Sequence, residues 1–333
     1  MREVAQELGV ATSSVSRVLS GHPDVSPKMR NRVLEGVRAL GYQPNMLARS
    51  LRSGATFTVG FLVSDNANPL FAEIVKGAES KLREEGYSML LTNSDGDPEL
   101  DVRHIALFAQ RWVDGLILST ATEAHPATIA ALEKIQDRPV VAIDRELPPT
   151  TGASRVLSDH FTGMAAAVTH LLELGHRRIA LLIGEPMRPT NERRRALEET
   201  FAAHRLPPTY VEVQGHYSAA FAAEATRDLL SRPNRPTAII AAGNQMLLGA
   251  LESIAVSGVE LGRDVSLVGC DDVSLTALYR PPIAVVVRDN RAVGTTAASL
   301  LLGLMRGDDR LRDVLLPTRF VARPSCGPPR PDA

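Results

Sequence analysis

The sequence predicts an all-α headpiece of about 50 residues, followed by an α/β core of two doubly wound parallel-sheet lobes. Three patterns carry that prediction. As far as Ser53, short helical stretches alternate with turns. From Thr58 onward, β-type runs alternate with amphipathic helical segments. The β runs number ten, more than one open sheet holds comfortably, so they divide between two lobes. A chain of 333 residues has room for these bodies, each with its own core.

In the headpiece, helices are predicted over 2–8, 13–19 and 27–40. Ser26 stands before the third as a cap, Pro27 just inside it and Gly41 just past it. A further short helix, over 46–52, opens at Pro44-Asn45 and stops at Ser53-Gly54. Val4, Ala5, Leu8, Gly9, Val10, Val15 and Val18 have the spacing of a helix-turn-helix. Ala5 lets the two helices approach, Gly9 ends the first, Val10 plugs the turn, and Val15 with Val18 seats the second. Thr12, Ser13, Ser16 and Arg17 are left facing outward, and hydroxyls with a guanidinium suit base edges and phosphates in a major groove. On these twenty positions alone, a generic αα-hairpin with a polar surface has the same pattern.

In the core, strands are predicted over 58–63, 88–92, 115–118, 140–143, 155–158, 179–184, 211–213, 237–241, 265–269 and 283–288. Between the first two, Phe71, Ile74, Val75, Ala78 and Leu82 recur at i, i+3, i+4, i+7 and i+11, the stripe of an amphipathic helix. Continuous apolar strands alternating with such helices are βαβ units, whose parallel sheets are covered on both faces. The Pro-rich end beyond Cys326 reads as frayed.

Charge is distributed unevenly. Residues 1–53 hold eight basic against four acidic side chains, and the rest of the chain holds 29 against 34. A basic headpiece on an acidic body suits a protein that presents one end to phosphates, although an unevenly charged surface with no such role would look alike. Hydrophobic residues at 44% and charged residues at 23% are those of a soluble globular chain. No apolar run approaches the ~20 residues that cross a bilayer. The first residues lack the apolar block of a signal peptide, and Cys270 and Cys326 make no disulfide framework. A cytoplasmic setting without membrane contact is expected.

The stretch Tyr42-Gln43-Pro44-Asn45-Met46-Leu47-Ala48-Arg49-Ser50-Leu51-Arg52-Ser53-Gly54, with Gly9-Val10 and Val15-Ser16-Arg17-Val18-Leu19 before it, resembles the headpiece and hinge of the lactose-repressor (LacI/GalR) family. Asn68-Pro69-Leu70-Phe71, Val113-Asp114-Gly115, Gly175-His176-Arg177-Arg178-Ile179, Asp264-Val265-Ser266-Leu267-Val268-Gly269 and Pro281-Pro282 extend the likeness through the core, in order. The resemblance implies a helix-turn-helix headpiece over 1–44, a hinge helix over 45–54 and an effector-binding, dimerising core over 55–333. That core has the periplasmic-binding-protein-like fold, with a first lobe at about 57–155 and 288–317 and a second at about 156–287 and 318–327. It also implies a ligand-responsive regulator, a homodimeric repressor of a palindromic double-stranded DNA operator. Thr12, Ser13, Ser16 and Arg17 would read the major groove. Tyr42 and Asn45 would touch the backbone, and Leu51, with Ala48 beside it, would wedge into the minor groove, where an apolar side chain can kink a duplex. Two departures stand out. Ala11 replaces the family's usual Ser, removing a cap and phosphate contact, and Met1 falls almost inside the first helix, so either that helix frays or its start lies upstream.

The same resemblance points to a cleft at the carboxyl ends of the strands. Its expected lining is Asp65, Leu70, Phe71, Asp144, Arg145, Asp159, Arg188, Thr190, Arg194, Tyr217, Asn244 and Asp271, with Arg194 and Asp271 foremost. Polar forks beside an aromatic platform suit a sugar, a sugar acid or a similar small molecule. The run Arg193-Arg194-Arg195 hints at an acidic effector, but arginines answering Glu192, Glu198 and Glu199 along a solvated helix face are the simpler reading of it. Gly243-Asn244 and His160 stand where the family usually has other residues, which unsettles the neutral-sugar contacts.

The sequence carries none of the common enzymatic signatures. No GxGxxG follows the first strand, and the sequence has no GxxxxGK[ST], GxSxG or HExxH. Neither cofactor nor metal is expected. A solute-binding protein of a transport system would share the core fold, but would carry a signal peptide in place of the headpiece.

Overall fold

The computed structural model describes residues 1–19, 22–42, 54–308, 310 and 312–330. It separates into two compact units, Met1–Thr56 and Phe57–Ala333. The hinge helix expected over 46–52 lies outside the described residues, and so do Asn45, Ala48 and Leu51.

The first unit holds α1 (Arg2–Glu7), α2 (Thr12–Leu19) and α3 (Pro27–Ala39), each within a residue of its predicted bounds. Gly9 takes the left-handed conformation at φ 57°, which a residue with a Cβ adopts only at a cost, and it turns the chain from α1 toward α2. The Ser26 hydroxyl caps α3 by accepting from the Met29 N–H at 3.3 Å. Val4, Ala5, Val15, Val18 and Val33 form the buried centre, with Leu8, Val10 and Tyr42 packed around it.

The second unit contains twelve strands: β1 (Thr58–Val63), β2 (Ser88–Asn93), β3 (Gly115–Leu118), β4 (Val140–Ile143), β5 (Ser154–Ser158), β6 (Ile179–Ile183), β7 (Val211–Gln214), β8 (Ala238–Ala241), β9 (Ser266–Cys270), β10 (Ala284–Arg288), β11 (Asp313–Leu316) and β12 (Thr318–Val321). Between them run α4 (Pro69–Glu84), α5 (Pro98–Gln110), α6 (Pro126–Glu133), α7 (His160–Glu173), α8 (Arg188–Ala203), α9 (Ala219–Ser231), α10 (Asn244–Ser257), α11 (Ser274–Leu278) and α12 (Asn290–Met305). The strands make two six-stranded sheets, ordered β11-β5-β4-β3-β1-β2 and β12-β10-β9-β8-β6-β7. Every pairing is parallel except β10 with β12. Central strands such as β3, β4, β6 and β8 are buried along their whole length because helices cover both faces. Each Leu, Ile or Val so buried contributes about 1.5–3 kcal/mol. In the first lobe, α4 and α12 touch backbone to backbone: a Cβ on Gly294 would stand 1.8 Å from the Ile74 carbonyl oxygen.

Two features differ from the expectation. β5 pairs with β4 (Ala142↔Arg155, Ile143↔Val156) and with β11, so the chain leaves the first lobe after Ser158 rather than at 155. Arg288 likewise ends β10 in the second sheet, paired with Thr318, and the return to the first lobe comes after it. The strands β11 and β12, which lie outside the predicted set, are four-residue edge strands with partly exposed side chains. Such strands lack the continuous apolar run that marks the others. Three crossovers, after β5, after β10 and between β11 and β12, therefore join the lobes.

Candidate functional site

In the headpiece, α2 buries Val15 and Val18 and turns Thr12, Ser13 and Arg17 to solvent, with Ser16 half-buried. The first turn of α2 carries no acidic residue, so its positive dipole end is not neutralised from within the helix. One exposed face thus combines hydroxyl donors and acceptors, a guanidinium and a helix N-terminus, the groups that contact phosphates and base edges. Tyr42 packs against the headpiece core, its N–H donating to the Val37 carbonyl at 3.0 Å.

Between the two lobes of the second unit lies a cleft of about 790 Å³. Its walls are the carboxyl ends of the strands and the loops that leave them, the place where open parallel sheets take ligands. Of the predicted residues, Asp65, Leu70, Phe71, Asp144, Arg145, Tyr217, Asn244 and Asp271 line it. Leu70 and Phe71 reach it because Asn68 caps α4, its side chain accepting from the Leu70 N–H at 3.1 Å. Phe71, Met187 and Tyr217 supply apolar surface.

A charged network forms the floor. Arg288, at the end of β10, donates from Nη1 to Asp144 Oδ2 and from Nε to Asp271 Oδ1 at 3.1 Å. Asp144 follows β4 in the first lobe and Asp271 follows β9 in the second, so one guanidinium ties both lobes. Both aspartates adopt positive φ (48° and 75°), a conformation with a steric cost that persists where surrounding contacts over-determine it. Asp144 also accepts from the Ser158 N–H at 2.7 Å. Burial alone would push the Asp144 carboxyl up, but Arg288, His160 and the Ser158 N–H outweigh it and hold it well below the usual carboxylate range. Burial, followed by Arg193, lowers His160 to about 4 against the opposing pull of Asp144, so the imidazole is neutral at physiological pH. Burial also pushes the Arg145 guanidinium down, and Glu123 and Asp144 oppose the shift.

Further ties cross the cleft. The Glu123 carboxylate of the first lobe accepts from the Arg188 N–H at 3.0 and 3.1 Å, Arg188 Nε meets Glu146 at 3.2 Å, and Asn244 Nδ2 donates to Asn68 Oδ1 at 3.0 Å.

Four expected lining residues are placed elsewhere. Arg194 lies on another face of α8, in a fork with Glu212 (2.7 Å from both Nε and Nη2), and Arg193 faces the cleft in its stead. One residue along an α-helix turns the side chain by about 100°, so a shift of one in register changes the face. The same shift applies at the start of α8, where Met187 and Pro189 line the cleft. Arg188 instead donates to the Ser158 carbonyl at 2.8 Å, and Thr190 shares a hydrogen bond with the Tyr217 hydroxyl at 3.1 Å, which positions that ring. Asp159 caps α7, accepting from the Thr162 N–H at 3.0 Å.

Arg193, Arg288 and His160 also line the cleft and were absent from the predicted set. Arg288 left one signal in the sequence: a lone arginine closing an otherwise apolar strand, just before the Asp289 cap. Arg193 left none, because its neighbours Arg194 and Arg195 have the same local pattern and pair outward.

Comparison with known proteins bears on both units. Residues 1–45 match the profile of the bacterial regulatory proteins of the lacI family, and residues 168–326 match that of a periplasmic binding protein-like domain. The HTH-type transcriptional repressor PurR of Aliivibrio fischeri (strain MJ11) is 32% identical over 319 residues, 94% of either chain. The ribose operon repressor of Escherichia coli (strain K12) is 32% identical over 308 residues, covering 91% of this chain and 92% of that one. Among solved structures, the lac repressor dimer bound to operator and the anti-inducer ONPF superposes with a TM-score of 0.85 at 28% identity, over 97% of this chain and 98% of that one. A LacI family regulator from Enterococcus faecium with bound ribose matches at a TM-score of 0.74 and 26% identity, over 82% of this chain and all of that one. Relatives of such identity that extend over nearly the whole length, headpiece and core alike, place the chain in the lacI family of bacterial transcriptional regulators.

Proposed function

We propose that this protein is a repressor that binds a palindromic operator as a homodimer and releases or engages it in response to a small molecule held between the lobes. The observation that carries the reading is the pairing, on one chain, of an exposed α2 surface bearing Thr12, Ser13 and Arg17 with a cleft whose floor is tied across both lobes by Arg288. Thr12, Ser13, Ser16 and Arg17 are the base and phosphate readers. Tyr42, Asn45, Ala48 and Leu51 are the hinge-side contacts, with Leu51 as the minor-groove wedge. A molecule entering the cleft competes with or extends the cross-lobe contacts of Glu123, Arg188, Asn68 and Asn244, so its binding energy differs between lobe arrangements. That difference is what couples the cleft to DNA.

The test is selection of a duplex from a random library by the full-length protein, followed by titration of the selected duplex. A palindromic site, an affinity that falls steeply with salt through counterion release, and a loss for Leu51→Ala confined to specific binding are expected. Recovery of no sequence preference, or operator affinity unchanged by every ligand that raises the melting temperature of the core, overturns the reading.

A further inference from the structure

A helix starts with N–H groups that have no partner inside it, and a carboxylate placed there is stabilising. The start of α8, in the second lobe, lacks such a carboxylate of its own: its first turn holds no acidic residue, and Met187 before it gives no side-chain cap. The partner comes from the first lobe. Glu123, on the loop after β3, accepts from the Arg188 N–H at 3.0 Å through Oε1 and 3.1 Å through Oε2. The same Oε1 accepts from the Glu146 N–H at 3.0 Å, which fixes the carboxylate within its own lobe. One oxygen thus joins two backbone N–H groups, one from each lobe.

The Arg188 side chain makes the return connection. It is 8% exposed; its Nε meets Glu146 at 3.2 Å and its Nη1 donates to the Ser158 carbonyl at 2.8 Å, both in the first lobe. Its Nη2 lies 3.4 Å from Glu192, one turn along α8, so its own helix steadies the guanidinium. Glu123, Glu146, Ser158 and Arg188 stand beside the cleft, while their neighbours Thr122, Arg145, Met187 and Pro189 line it.

Position gives the contact leverage. The crossovers involve β5, β10, β11 and β12, whereas β3 is two strands from β5, and β6, which precedes α8, is three strands from β10. At roughly 4.8 Å per strand these separations are about 10 and 14 Å. Hydrogen bonds tolerate only a few tenths of an ångström of stretch, so parting the lobes about the crossovers breaks this contact. The Arg288 tie to Asp144, by contrast, runs between the ends of β10 and β4, at and beside crossover strands.

We infer that Glu123 and Arg188 form a latch, a helix cap supplied from one lobe to the other, that holds the lobes together by the chain's own groups. An effector then enters a cleft whose walls are already in place, and none of its binding energy is spent on closing them.

The experiment measures the gap between the lobes in the full-length protein with no small molecule added. Nitroxide labels on Ala67→Cys, in the loop after β1, and Ala220→Cys, in the first turn of α9, both exposed positions, report it by double electron–electron resonance. Dilution with unlabelled protein restricts the reading to distances within one chain. Cys270 is buried and burial pushes the Cys326 thiol up to about 11, so both react slowly with the label. The native latch is expected to give one narrow distance. Glu123→Ala is expected to add a longer one, lowering the ratio of closed to open about tenfold or more, because two N–H groups lose a charged acceptor. In the same variant the Arg188 and Glu146 amides are expected to exchange with deuterium about tenfold faster. Arg194→Ala, which removes an ion pair of the same helix within the second lobe, is expected to leave the distances alone. A long or broad distance in the native protein, distances or amide exchange unchanged in Glu123→Ala, or equal lengthening by Arg194→Ala overturns the latch. Operator titration of Glu123→Ala judges the proposed function separately: unchanged affinity beside lengthened distances overturns the coupling of the lobes to DNA and leaves the latch standing.

Discussion

Arg288→Met removes the cation between two buried carboxylates while keeping the length of the side chain. In the native protein the guanidinium reaches Asp144 and Asp271 at once, and all three side chains are 7–8% exposed. Taking one partner out of a buried ion pair leaves uncompensated charge and costs about 3–5 kcal/mol. For a core of this size that corresponds to a fall in melting temperature of about 6–20 °C. The pH dependence gives the loss a signature. The Asp144 carboxyl is held below its unfolded value, so its contribution is present at neutral pH and is lost as pH falls through the folded value. Without Arg288 that carboxyl can take up a proton in the folded state well above the native value, and its penalty then shrinks. The stability gap between native protein and variant, measured by urea unfolding with a fluorescence or circular dichroism readout, should therefore be widest near pH 7 and narrow toward pH 4. Adding Asp144→Asn and Asp271→Asn should recover most of the loss, because the orphaned charges are then gone. A gap below about 1 kcal/mol at pH 7, or one that widens toward pH 4, would refute the reasoning.

Three further outcomes are expected. His160→Asn should flatten the acid limb of the stability profile: the native ring, lowered to about 4 against 6.5 unfolded, costs roughly 3 kcal/mol as pH falls from 6.5 to 4, and an unchanged slope in the variant would contradict this. Gly294→Ala should destabilise by about 1–3 kcal/mol, since its Cβ would stand 1.8 Å from the Ile74 carbonyl oxygen and α4 and α12 must part; a neutral result in denaturant unfolding would show that the helices can slide freely. Arg194→Ala should change ligand affinity less than about twofold and stability by about 1 kcal/mol or less, because its partner is Glu212 and not the cleft; calorimetry showing a large affinity loss would return it to the site.

The headpiece was legible almost to the residue. Val4, Ala5, Gly9, Val15 and Val18 are local determinants: a small residue at a crossing, a left-handed turn and two inward valines act within one short segment, and their spacing is the structure. The ten strong strands were legible for a similar reason, since burial on both faces demands an unbroken apolar run. Among site residues, Asp65 could be placed because strand ends define the cleft, whereas Asp144, Tyr217 and Asp271 came from the family resemblance.

Other features depended on the assembled fold. Edge strands β11 and β12 carry a mixed pattern, so only pairing with β5 and β10 reveals them. Which of three consecutive arginines enters the cleft depends on the rotation of α8 against the second sheet, a quantity with no local signal when all three neighbours are alike. The ion network on the floor joins Asp144, Asp271 and Arg288, far apart in sequence and brought together by three crossovers. Local sequence determined the elements and the positions of their ends; the tertiary structure decided which side chains meet there, because burial and ion pairing are set by contacts between segments that no single segment encodes.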